Sequence, residues 1–155
     1  GMMFVGSGES FEVEVRSLDG TLTHLLRGPQ IPLDVTESMR DAYLQGQLDQ
    51  AEDATQRASL RSQIEDWEWP ATAPAFTELM VDGAGVVWVK RFSIEPDANE
   101  TWSLLDMDRG YLGDIELGAG QELLSIGDED LLVRIIDEFD VERVGKLALN
   151  RGNDS

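Results

Sequence analysis

A chain of 155 residues with 41% hydrophobic content is long enough for one domain with a real core and too apolar to be disordered. Its 31 acidic and 12 basic residues leave a net charge of −19. That charge repels phosphate backbones, which argues against nucleic acid and anionic membranes and leaves cations, basic proteins or plain solubility as its uses. The absence of cysteine excludes disulfides, thiolate metal sites and thiol catalysis, and no apolar run approaches the ~18 residues that span a membrane.

The N-terminus "GMMFVGSG" lacks the basic and apolar regions of a signal peptide. Gly1 ahead of Met2 reads as a residue left by tag removal, so the native chain is expected to start at Met2 or Met3. Residues 2–28 read as β. "MMFV" is a short apolar run, and "FEVEVRS" alternates strictly, with Phe11, Val13 and Val15 on one face and Glu12, Glu14 and Arg16 on the other. A period of two marks a strand with one buried face. Asp19-Gly20 supplies a turn, and "TLTHLLRG" is the next strand, closed by Gly28-Pro29.

Residues 34–69 change character. Asp34 or Thr36 is a candidate N-cap for a helix whose apolar pairs, Met39 with Tyr43 and Leu44 with Leu48, fall at i, i+4. Gly46 weakens it. In "EDATQRASLRSQIEDWEWP", Leu60, Ile64 and Trp67 form one narrow stripe on a polar rod that Pro70 ends. The expectation is a helical hairpin or one kinked helix, docked by that stripe onto the β part. From Ala75 the chain is β again, with strands at "FTELMVD", "GVVWVKRF", "TWSLLD", "YLGDIEL", "QELLSIG", "DLLVRIIDEF" and "ERVGKLALN". Short Gly-, Asp- or Asn-rich segments separate them, as in an antiparallel meander.

These strands repeat. "ELMVD" (78–82) and "ELLSI" (122–126) lie 44 apart, "VVWV" (86–89) and "LLVR" (131–134) 45 apart, and "WSLLD" (102–106) and "KLALN" (146–150) 44 apart. A four-strand unit recurring after about 45 residues has the length of a β-propeller blade. "VRSLDGTLTHLLRG" (15–28) overlays "SLLDMDRGYLGDIELG" (103–118) in the same way. Within one domain, 1–155, residues 2–28 are then a partial blade, 34–69 a helical insertion, 75–118 a complete blade and 121–150 a partial terminal blade. The fold class is mainly β: about two and a half antiparallel, propeller-like blades with a helical insertion.

The segments "PAFTELMVDGAGVVWVKRF", "WSLLDMDRGYLGDIEL" and "ELLSIGDEDLLVRIIDEFDVERVGKLAL" resemble the C-terminal part of bacterial six-bladed β-propeller proteins of the TolB-like or NHL-like kind. The resemblance implies a role in binding ligands or partners and an exported or periplasmic location. This chain holds too few blades for a closed ring, which takes roughly four or more. Two apolar blade faces and several strand edges are therefore expected to be exposed and covered by self-association, as a homodimer.

Chemistry-bearing residues are few. Asp106 and Asp108, in "DMDRG", are the best cation candidates, since alternate Asp side chains around a tight turn can face one Ca²⁺ ion. The spacing of an EF-hand is absent, and an Asx-turn explains the same residues. "GDED" (127–130) and "DEFDVE" (137–142) add carboxylates that read as a solvated rim or a divalent-ion site. His24 is the only histidine, so neither a His-based triad nor a paired-His metal site can be built. Trp67 and Trp69 are expected at the helix-to-sheet junction, and Trp88 and Trp102 between blades. No catalytic residue stands out. The favoured function is a non-catalytic binding or scaffold module. The alternative is a carboxylate-dependent hydrolase of a sugar or small molecule, Ca²⁺-supported or not, which needs a concave pocket holding two carboxylates within ~5–10 Å.

Overall fold

The computed structural model describes residues 1–95, 98–137 and 139–151. Ten strands and two helices follow one another along the chain. β1 (Met2–Val5), β2 (Glu12–Ser17) and β3 (Leu22–Arg27) come first, followed by α1 (Glu37–Asp49) and α2 (Ala54–Glu65). The run β4 (Phe76–Val81), β5 (Val87–Arg91), β6 (Thr101–Asp106) and β7 (Gly110–Glu116) forms the middle of the chain. β8 (Gln121–Ile126), β9 (Asp130–Ile136) and β10 (Glu142–Ala148) end it. Every expected strand is present, and each pairs antiparallel with its neighbour in sequence, giving three sheets of three, four and three strands. The protein is mainly β, with its helices confined to one insertion.

The sheets pack face to face through two cores. Phe11, Val13, Val15 and Leu26 of the first sheet meet Phe76, Val87, Val89 and Leu105 of the second. Trp88 and Trp102, on the opposite side of the second sheet, meet Leu123, Leu131 and Val133 of the third. This explains a difference in patterning along the chain. β5 is apolar without alternation because both its faces are buried, with Val87, Trp88 and Val89 at most 1% exposed. β2 alternates because its second face looks outward.

Burial also settles the repeat register. Leu79, Val87, Val89 and Leu105 pack into the first core, and the residues 44 further on, Leu123, Leu131, Val133 and Leu149, pack into the second. The repeat is therefore 44 in all three strand pairs. An offset of 45 for "VVWV" would match Trp88, on the face of its sheet turned toward the following sheet, with Val133, on the face of its sheet turned toward the preceding one, because a one-residue slip inverts a strand.

The outward faces of the two end sheets differ from the expected apolar surfaces. Arg16 pairs with Glu14 at 2.7 Å and Arg27 with Glu12 at 2.8 Å on the first sheet. On the third, Arg134 pairs with Glu122 and Glu142, and Lys146 with Asp130 at 2.7 Å. Apolar side chains remain among these pairs: Leu25 is 38% exposed, Ile136 37% and Val144 68%.

The insertion is a helical hairpin. Thr36 caps α1 by accepting from the Met39 N–H, and Asp53 caps α2 by accepting from the Gln56 N–H. Its ends are tied together. Asp34 bridges Thr72, the Val35 N–H donates to the Ala71 carbonyl at 2.9 Å, and the Ala73 N–H donates to Leu33 at 2.7 Å. The expected docking stripe is only partly realised: Ile64 is buried, but Trp67 is 50% exposed, and neither core contains a residue of α1 or α2. The two helices pack on each other and are held to the sheets by the paired stem.

Candidate functional site

Where the stem meets the exit of β5, a cleft of about 530 Å³ opens. Tyr43 reaches it from α1. Trp67, Trp69 and Pro70 follow α2, Val35 and Ala73 come from the stem, and Phe92 and Ile94 follow β5. The aromatic rings touch in sequence: Tyr43 to Trp67 at 5.7 Å between centroids, Tyr43 to Trp69 at 5.5 Å and Trp67 to Trp69 at 6.0 Å. The Arg40 guanidinium lies over Trp69 at 5.9 Å. Asp66 and Glu68 alternate with the tryptophans and are the charged members of the wall. The sequence signal for this site is "DWEWP": α2 ends at Glu65, so the helical stripe gives way to an irregular segment that carries both indoles. Their placement at the helix-to-sheet junction follows expectation. The exposure of Trp67 does not, because the stripe stops short of the sheets.

A second hollow, about 700 Å³, gathers Glu95, Glu100, Glu122 and Asp140 with Lys90 and Arg91. Two of its carboxylates, Glu100 just before β6 and Glu122 on β8, act as cross-links. Glu100 accepts from Lys90 Nζ at 2.5 Å, from the Trp102 indole at 3.0 Å and from the Leu123 N–H at 3.2 Å, which joins the second sheet to the third. Glu122 accepts from Arg134. Burial would lower the pKa of Lys90, and the surrounding carboxylates, Glu100 first, outweigh it and hold the ammonium above its ordinary value.

Asp106 and Asp108 sit where predicted, at the β6–β7 turn. Asp106 Oδ1 accepts from the Asp108 and Arg109 N–H groups, each at 2.9 Å, which is the Asx-turn arrangement. Both line a hollow of about 450 Å³ that also holds Arg109 and Arg151. Among the described residues no group of three or more His, Asp or Glu is placed to hold a metal ion. In "DEFDVE", Asp137 accepts from the Phe139 and Val141 N–H groups at 2.9 and 3.1 Å, and Glu138 lies outside the described residues. His24 is exposed on β3 beside Thr23.

One buried carboxylate was not legible as special. Asp82, in "MVDGAG", has a fully buried side chain. Its Oδ1 accepts from the Ala84 and Val86 N–H groups, each at 2.9 Å. Its Oδ2 accepts from the Trp88 indole at 3.0 Å and from Arg151 at 2.8 Å. Burial pushes this carboxyl up, but the hydrogen bonds from Trp88, Arg151 and Val86 prevail and hold it below the usual carboxylate value. Arg151 also donates to the carbonyls of Asp128 and Gly127, so the end of the described chain staples the β4–β5 turn to the β8–β9 turn.

In comparisons with known proteins, no family model, no curated protein and no solved structure matches the chain.

Proposed function

We propose that the protein is a non-catalytic binding module built of propeller-like blades, with the aromatic cleft as its ligand site. The observation that carries this reading is the cleft itself: four aromatic side chains, Tyr43, Trp67, Trp69 and Phe92, line one partly open cavity. Concave, apolar, aromatic-rich surfaces of this size are where small ligands and partner side chains bind. In the second hollow Glu100 and Glu122 are engaged by Lys90 and Arg134 as cross-links within and between the sheets, which favours a structural over a catalytic role for them.

The test uses a neutral solvatochromic dye such as prodan. Saturable binding that is lost in Trp67→Ala supports the reading. Equal binding to wild type and variant removes it. Hydrolysis of a nitrophenyl glycoside or ester panel that is abolished by Glu100→Gln would instead favour the hydrolase.

The end sheets supply the scaffold side of the same proposal, self-association. Exposed apolar side chains on their outward faces, Leu22 and Leu25 on the first sheet and Ile136 and Val144 on the third, are the candidate contacts.

A further inference from the structure

We propose that the cleft is a docking groove for a basic, proline-containing segment of a partner protein, bound in extended form. The inference rests on the cleft being a binding site and adds the chemistry of its occupant. Three features select that chemistry. The walls around Trp67, Trp69 and Pro70 are apolar and offer no open strand edge, so a peptide whose backbone needs pairing would bury unsatisfied groups there. Proline lacks the N–H that such walls cannot serve, and its ring stacks on an indole face.

Second, Tyr43, Trp67 and Trp69 form one cluster on the cleft wall, with ring centroids 5.5–6.0 Å apart. Proline rings and apolar side chains of an extended segment can stack on such a wall. Third, Asp66 and Glu68 flank the half-exposed Trp67 on a chain of net charge −19. A segment carrying Arg or Lys gains carboxylate partners and a cation–π contact on Trp67. Arg40, already seated on Trp69, shows that a guanidinium fits this surface.

The experiment titrates the full chain with a synthetic twelve-residue peptide of alternating Pro and Leu bearing two Arg, read by calorimetry. Two counterparts carry Glu for Arg and Ala for Pro. The basic proline peptide is expected to bind with a Kd in the range of tens to hundreds of micromolar, roughly tenfold tighter than either counterpart, and to weaken as salt rises. Glu68→Lys with Asp66→Lys, both surface changes, should invert the preference between the Arg and Glu peptides. Prodan displacement by the peptide is the second readout. Equal affinity for the Arg and Glu peptides, or no binding while prodan still binds, overturns the inference and leaves the cleft a ligand site. Loss of both prodan and peptide binding overturns the binding-site reading itself.

Discussion

Asp82 and its relatives show how single residues hold the turns. Asp19 accepts from Ser17 and Thr21, chiefly the Ser17 hydroxyl, and its carboxyl is held at about 2. Asp82, Asp106 and Asp137 likewise accept backbone N–H groups two to four residues ahead. Asp82 differs because it is buried and also holds Trp88 and Arg151. Asp82→Ala leaves that indole and one guanidinium nitrogen, Nη1, without their acceptor, and should cost about 3 kcal/mol in urea denaturation at neutral pH. The pH dependence has a definite sign. The Asp82 carboxyl titrates lower folded than unfolded, so its ionised form favours folding above the ordinary carboxylate value, about 4, and that contribution fades as pH falls below it. Asp82→Asn should therefore flatten the acid limb of a stability–pH curve. An unchanged limb would show that the acid response belongs to other groups. At the β9–β10 turn Asp140 has φ 56°, three residues after Asp137, just as Gly85, with φ 84°, follows Asp82. Asp140→Gly should stabilise the protein by about 0.5–1 kcal/mol, measured as a shift in the denaturation midpoint.

Among the elements, the helical hairpin is the one whose stability is local. Its buried residues, Leu48 and Ile64, belong to neither core, and its ends are fastened by the Leu33–Val35 and Ala71–Ala73 stem. Losing the Asp53 cap should cost about 1 kcal/mol. Because the cost falls on the hairpin, Asp53→Ala should reduce hydrogen-exchange protection in α2 roughly fivefold while the sheet amides keep theirs. A matching loss across β5 and β6 would mean that hairpin and sheets unfold as one unit. The strands behave in the opposite way. β5 and β6 contribute to both cores through Val87, Val89 and Leu105 on one side and Trp88 and Trp102 on the other.

At the scale of the molecule, three stacked sheets leave two end faces, and ion pairs on both faces keep them near neutral in a chain of −19. Self-association through these faces should appear in sedimentation as a concentration-dependent dimer. Salt should promote it by screening the repulsion between two acidic chains over a Debye length of about 10 Å at 0.1 M. A single monomeric species at high concentration and high salt would remove self-association and leave the cleft as the working surface.

The amino-acid sequence by itself determined the strands, the helical insertion and their order. These follow from local periodicity: alternation in "FEVEVRS", i, i+4 spacing in the insertion, and Asp-Gly turns between them. It also showed the repeat, because equivalent strands meet equivalent neighbours. Three things were decided only in the tertiary structure. Burial on both faces of the middle sheet set the repeat register at 44, since "VVWV" alone has no periodicity to say which side each valine faces. The role of Asp82 depended on Arg151, 69 residues away in sequence, and so invisible to any local pattern. The cleft needed α1, the end of α2, the stem and the exit of β5 to converge. "DWEWP" reads in the sequence as the end of a buried stripe, and it becomes a surface because the stem holds the hairpin off the sheets.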